Sequence, residues 1–81
     1  MKYIVTKDEK DKLEIFQFPD NVHHDCMAEA IYAIRNQKHG DWKRIYREPV
    51  SAGFVEGGKC VGESESLKLK SNPSDTKLLQ Q

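Results

Sequence analysis

Segment 19–40, Pro-Asp-Asn-Val-His-His-Asp-Cys-Met-Ala-Glu-Ala-Ile-Tyr-Ala-Ile-Arg-Asn-Gln-Lys-His-Gly, carries a helix signal with both ends marked. Asp20 or Asn21 can accept hydrogen bonds from the orphan amides of a first turn, and Gly40 suits the left-handed residue that follows a last one. Lys38 and His39 fall beside the negative end of the helix dipole. About seventeen residues between these signals make a helix of roughly 25 Å, enough to lie across a small sheet. On a 3.6-residue period Val22, Cys26, Ala30, Ala33 and Ile34 share one face, flanked by Met27 and Ile31, and His23 sits inside the apolar arc.

The flanking segments read as strands. Tyr3, Ile4, Val5 and Thr6 are β-branched or aromatic, and residues 13–18 resume that character after the charged run 7–12. The run lacks Gly and Asn, so this hairpin is expected to have a longer, exposed loop rather than a two-residue turn. In residues 13–18, Phe16 and Phe18 share one face with Glu14, and this is the face expected against the core. Residues 42–47 alternate large and charged side chains as in a strand, which Pro49 is expected to close. Residues 54–61 read as a second hairpin, because Gly57-Gly58 supplies the positive φ angles of a tight turn; Gly53 and Gly62 mark bulges or ends. Past Gly62 the composition turns to Ser, Glu and Lys, yet Asn72-Pro73-Ser74-Asp75 spells a helix start and Leu78 and Leu79 can dock its turn.

The expected architecture is a single α+β chain, an N-terminal β-hairpin with one long helix packed on a small antiparallel sheet in a ββαβββ-like order and a short C-terminal helix or tail. Residues 1–62 form the compact domain and 63–81 a polar extension. Phe16, Phe18, Ile31 and Ile34 are the expected core. At 81 residues there is room for one thin core.

Composition removes several function classes. Thirteen basic and thirteen acidic side chains cancel, so there is no global pull toward nucleic acid or anionic membrane. No run approaches the roughly 20 apolar residues of a membrane helix, and a cytoplasmic setting is expected. Cys26 and Cys60 are too few for a disulfide framework and read as thiols.

Candidate chemistry is sparse. His23, His24, Cys26, His39 and Cys60 invite a metal reading, but neither Cys-x-x-Cys nor His-x-x-x-His occurs, and no metal or cofactor is expected. Cys26, activated by a neighbouring histidine, would be a nucleophile only if exposed; its place on the apolar face predicts burial, a raised pKa and slow labelling. No catalytic residue is expected and the chain reads as a non-enzyme. In residues 35–47, Arg35, Lys38, Lys43, Arg44 and Arg47 stand against the single Asp41, a formal charge of plus four, interleaved with Trp42 and Tyr46. The rings are read first as core anchors under a solvated charged face. The alternative is a binding surface of Arg35, Lys38, Trp42, Lys43, Arg44 and Arg47, in which cations neutralise phosphates and a ring stacks on a base.

Phe18-Pro19 followed by Val22-His23-His24-Asp25-Cys26-Met27-Ala28-Glu29, then Pro49-Val50-Ser51-Ala52-Gly53-Phe54-Val55, and Gly62-Glu63-Ser64-Glu65-Ser66-Leu67 with Asp75-Thr76, span most of the chain. In these motifs it resembles small uncharacterised proteins of tailed bacteriophages and bacterial prophages. The resemblance implies origin and a host-cytosol setting, and by analogy a protein-binding role. The expected function is thus a small interaction module acting on a host or phage protein, with nucleic-acid binding through 35–47 as the alternative.

Overall fold

The computed structural model describes residues 1–8, 10–36 and 48–80, with 34–36 as backbone. Strands β1 (Lys2–Lys7) and β2 (Leu13–Phe18) precede helix α1 (His24–Asn36). Then come β3 (Glu48–Glu56), β4 (Lys59–Val61), β5 (Glu63–Ser64), β6 (Leu69–Lys70) and α2 (Asp75–Leu79). The first four strands form an antiparallel sheet in the order β2-β1-β3-β4, and β5 pairs with β6 in a separate small hairpin. This is a small α+β arrangement. The expected strand at 42–47, Ile34 as a core residue and Gly40 as helix end lie outside the described residues.

The hairpin loops follow their local chemistry. The first is the expected long one: Asp8 Oδ1 accepts from the backbone amides of both Lys10 and Lys12 at 2.9 Å, and Asp11 takes a left-handed φ of 62°. A short side-chain carboxylate thus does the work that Gly or Asn does in a tight turn. In the second, Gly57 and Gly58 have φ of 57° and 77°, the pair of positive angles a two-residue turn requires.

Strand β1 lies between β2 and β3, and Tyr3, Ile4, Val5 and Thr6 are all inaccessible. Alternation sends Ile4 to one face, where it packs with Phe18, Ile31 and Ala52 over a rim that includes Phe16, Met27, Leu67 and Leu69. Tyr3 and Val5 point to the other, packing with Cys60, Ile15, Val55, Leu78 and Leu79. The phenylalanine face of β2 therefore meets α1 as expected. The single thin core becomes two, because a run of consecutive buried residues needs cover on both sides.

Three local expectations are corrected. The long helix is thirteen residues, His24–Asn36. Its start is delayed because the Val22 amide donates to Pro19 in a preceding turn, and the first helical bond runs from Met27 N–H to His23 O. Asp20 and Asn21 therefore precede the helix instead of capping it, and Asp20 pairs with the Met1 ammonium at 3.2 Å. The buried face runs through His24, Met27, Ala28 and Ile31, while Cys26, Ala30 and Ala33 are exposed. Small residues lie nearly all round this helix, and the bulky Met27 and Ile31 determine which stripe faces the sheet. Pro49 does not end a strand; it sits inside β3, where the pairing with β1 slips past Val50. Such an irregularity is where a strand tolerates proline.

Truncating Ile31 to Ala should cost about 2–5 kcal/mol in a denaturant melt. Ala30→Glu, on the exposed face, should stay within about 0.5 kcal/mol. Comparable losses at both positions would refute the assigned face.

Candidate functional site

The residues expected to bind, Arg35, Lys38, Trp42, Lys43, Arg44 and Arg47, lie outside the described side chains. The histidine expectation is corrected by one position: His23 is exposed and His24 is buried. His24 Nε2 donates to the Gly53 carbonyl at 2.9 Å, and the ring stands edge-on between Phe18 and Phe54 at centroid distances of 5.4 and 5.6 Å. Gly53 can present its carbonyl there because the sheet is tight at that point; a Cβ on it would collide with the Val61 carbonyl. Cys26 is exposed, not buried. Among the described residues no three His, Cys, Asp or Glu side chains are grouped so as to hold a metal ion.

A buried polar cluster ties the chain's two ends together. Tyr3 Oη donates to Asp75 Oδ2 at 2.6 Å, and the same oxygen accepts from the Asn72 amide at 2.9 Å. Asn72 Oδ1 in turn accepts from Ser74 N–H and Oγ–H, which closes a turn ahead of α2 and does not cap the helix: the N-cap is Ser74, with no side-chain capping bond, so the helix starts two residues later than Asn72-Pro73 implies. Burial, followed by the hydrogen bond to Asp75 and its negative field, pushes the Tyr3 phenol far above its ordinary value. Burial also raises the Cys60 thiol, with the Asp75 charge adding to it. Both groups therefore stay protonated and inert at neutral pH. The Cys60 amide, on edge strand β4, donates to Thr76 Oγ1 at 3.1 Å, which occupies a donor that an edge strand would otherwise present.

Two depressions among the described residues lie on the α1 side. The larger, about 560 Å³, lies among Lys2, His23, His24, Phe54 and the 63–66 stretch. Two of its polar groups are engaged within the chain: Lys2 Nζ donates to Val22 O at 2.9 Å, and Ser64 Oγ accepts from Leu67 N–H at 3.2 Å. The smaller, about 320 Å³, is different. Ile31, Pro49 and Leu67 supply apolar lining and Asp25 and Glu29 supply carboxylates. Thr6 lines it too, and although Thr6 is only 1% exposed, its Oγ1 has no hydrogen-bond partner among the described residues. A buried hydroxyl without a partner is uncommon in folded proteins and costs about 1–3 kcal/mol. Nothing in the sequence marks Thr6: it reads as one more β-branched strand residue, and alternation along β1 puts it on the same face as Ile4.

Three outcomes follow from these geometries. Above pH 10 the unfolded chain releases the Tyr3 proton that the folded chain keeps, so stability present below pH 10 falls by about 1.4 kcal/mol per pH unit. Tyr3→Phe should remove that component from melts between pH 9 and 11.5, and equal slopes would contradict the buried bond. With a thiol reagent at neutral pH, Cys26 should label rapidly and Cys60 only on unfolding; mass mapping reads which one reacts first. Thr6→Val removes the lone hydroxyl at nearly constant shape and should stabilise by about 1 kcal/mol, whereas a loss of stability would reveal a partner.

No protein family, curated protein or solved structure matches the chain.

Proposed function

We propose that the chain is a small non-enzymatic protein-interaction module that accepts a side chain of its partner in the recess beside α1. The observation that carries this reading is the coincidence of an apolar lining, two carboxylates and a buried unpartnered hydroxyl in one depression of about 320 Å³. Of the cysteines and histidines among the described residues, Cys26 and His23 are exposed, while the buried pair is poorly placed for catalysis. Cys60 is buried with a raised pKa, and His24 has its Nε2 committed to Gly53. On the resemblance of its motifs, the chain is a phage accessory protein of the host cytosol whose partner is a host or phage protein. No helix among the described residues is long and apolar enough to cross a membrane.

The second reading, nucleic-acid binding, is favoured by the plus-four charge and interleaved rings of residues 35–47. The two differ in salt dependence. Each phosphate contact on a single strand contributes a log-log slope of about −0.7. At ~150 mM salt the purified chain should bind single-stranded oligonucleotide no more tightly than ~100 μM. A protein complex captured from bacterial lysate should survive nuclease and be lost when Glu29→Trp fills the recess mouth. Sub-micromolar oligonucleotide binding that Arg44→Glu and Arg47→Glu abolish would replace the first reading by the second.

A further inference from the structure

We propose that the outer edge of β2 is the surface on which two copies of this chain pair, antiparallel and about a two-fold axis at Ile15, so that two four-stranded sheets become one continuous sheet. The Asp8 amide donates to Lys12 O at 3.1 Å, and from that bonded pair the β1–β2 register alternates. Glu14, Phe16 and Phe18 therefore turn their backbone groups to β1, and Leu13, Ile15 and Gln17 turn theirs outward. On the far side of β1 the Val55 amide donates to Met1 O at 2.6 Å, which places Tyr3 and Val5 in bonded pairs with β3 and agrees with that alternation. Among the described residues no strand pairs with β2 on its outer side, and no hydrogen bond reaches the outward backbone groups of Leu13, Ile15 and Gln17. The opposite edge differs: β4 is three residues long and its outward Cys60 amide is taken by Thr76 Oγ1. Strand β2 is six residues long, in unbroken register, and has no Pro, Gly, Lys or Arg, so it lacks the devices that keep an edge from pairing.

The strand is complementary to itself. An axis at Ile15 opposes Leu13 to the second copy's Gln17 and Ile15 to its own copy, so every outward residue uses both backbone groups. An axis at Glu14 would set that carboxylate against itself, which is destabilising. An axis at Phe16 would bring Pro19, which has no N–H, opposite Leu13. The side chains fit the same choice. Leu13, 39% exposed, and the half-buried Ile15 lie on the Tyr3 face, where pairing extends the apolar layer that Leu78 and Leu79 cover. Glu14 then faces Phe16 instead of another carboxylate. A net charge of zero adds no repulsion between copies. An unrelated extended peptide meets the same backbone groups without this register, so a second copy is the occupant the side chains favour. No residue of this edge lines the recess beside α1, and the two surfaces are separate.

Sedimentation equilibrium of the full chain from ~20 μM to ~1 mM, with amide hydrogen exchange at both ends of that range, tests this. A reversible monomer–dimer equilibrium with a Kd on the order of 100 μM is expected, because edge pairing adds backbone bonds over a small buried area. Exchange at the Leu13, Ile15 and Gln17 amides should slow by roughly 4-fold across the range as the monomer fraction falls. The Glu14, Phe16 and Phe18 amides, already bonded to β1, should not change. Gln17→Pro removes an outward N–H and no bond to β1, so it should weaken the dimer at least ~10-fold without lowering the melting temperature. Leu13 and Gln17 are both exposed, so charges there test the register without entering the core. Leu13→Lys with Gln17→Lys sets like charges across the axis and should abolish dimerisation, whereas Leu13→Glu with Gln17→Lys sets opposite charges and should preserve it. The inference is overturned if the chain stays monomeric to ~1 mM, if the dimer persists in Gln17→Pro, or if the two charge pairs behave alike. A monomeric chain whose outward amides are protected by a protein captured from lysate would overturn it too, giving this edge to a partner's strand.

Discussion

Strand β1 sets the terms for the rest of the fold. Four consecutive residues, Tyr3 to Thr6, are inaccessible, and a strand's alternation means that two of them face each way. One helix can cover only one side. The other side must be closed by chain from elsewhere, and Leu78 and Leu79 at the C-terminal end close it over Tyr3 and Val5. A chain of 81 residues buries little surface, so each face counts for a large share of a marginal stability.

The Tyr3–Asp75 hydrogen bond makes this closure directional as well as hydrophobic. Packing by Leu78 and Leu79 alone would tolerate sliding, whereas the phenol and the Asn72 amide converge on one carboxylate oxygen and define where the turn before α2 must sit. Thr76 extends the same anchoring to the backbone of β4. The C-terminal segment also serves the opposite face through Leu67 and Leu69, which pack beside Ile31 and Phe18. Leu67 thereby becomes part of the recess wall, so the stability of this segment and the shape of the candidate site are coupled.

Much of the secondary structure was legible because it rests on local chemistry. Gly57-Gly58 admits one kind of turn, Phe16 and Phe18 alternate onto one face, and Asn72-Pro73-Ser74-Asp75 signals a helix that begins at Asp75. The helix face was not legible from its period, since Cys26, Ala28, Ala30 and Ala33 are too small to discriminate between stripes. Weighting by side-chain volume would have favoured Met27 and Ile31, and with them His24 over His23. The second core was signalled by the unbroken Tyr3-Ile4-Val5 run, the pattern of a strand buried on both faces. The recess had no sequence signal: it needs a register slip at Val50, a turn at 64–67 and two acidic residues on α1, which meet only in three dimensions.

The central claim is that the C-terminal segment is an integral wall of the fold, and a melt of the chain shortened to residues 1–71 tests it most directly. Removing the last ten residues strips the cover from Tyr3, Val5 and Cys60 and leaves the Tyr3 phenol without Asp75. The account predicts a loss of several kcal/mol, on the scale of the whole stability of so small a domain, and no cooperative transition at room temperature. A shortened chain that melts cooperatively within about 1 kcal/mol of the full one would contradict it.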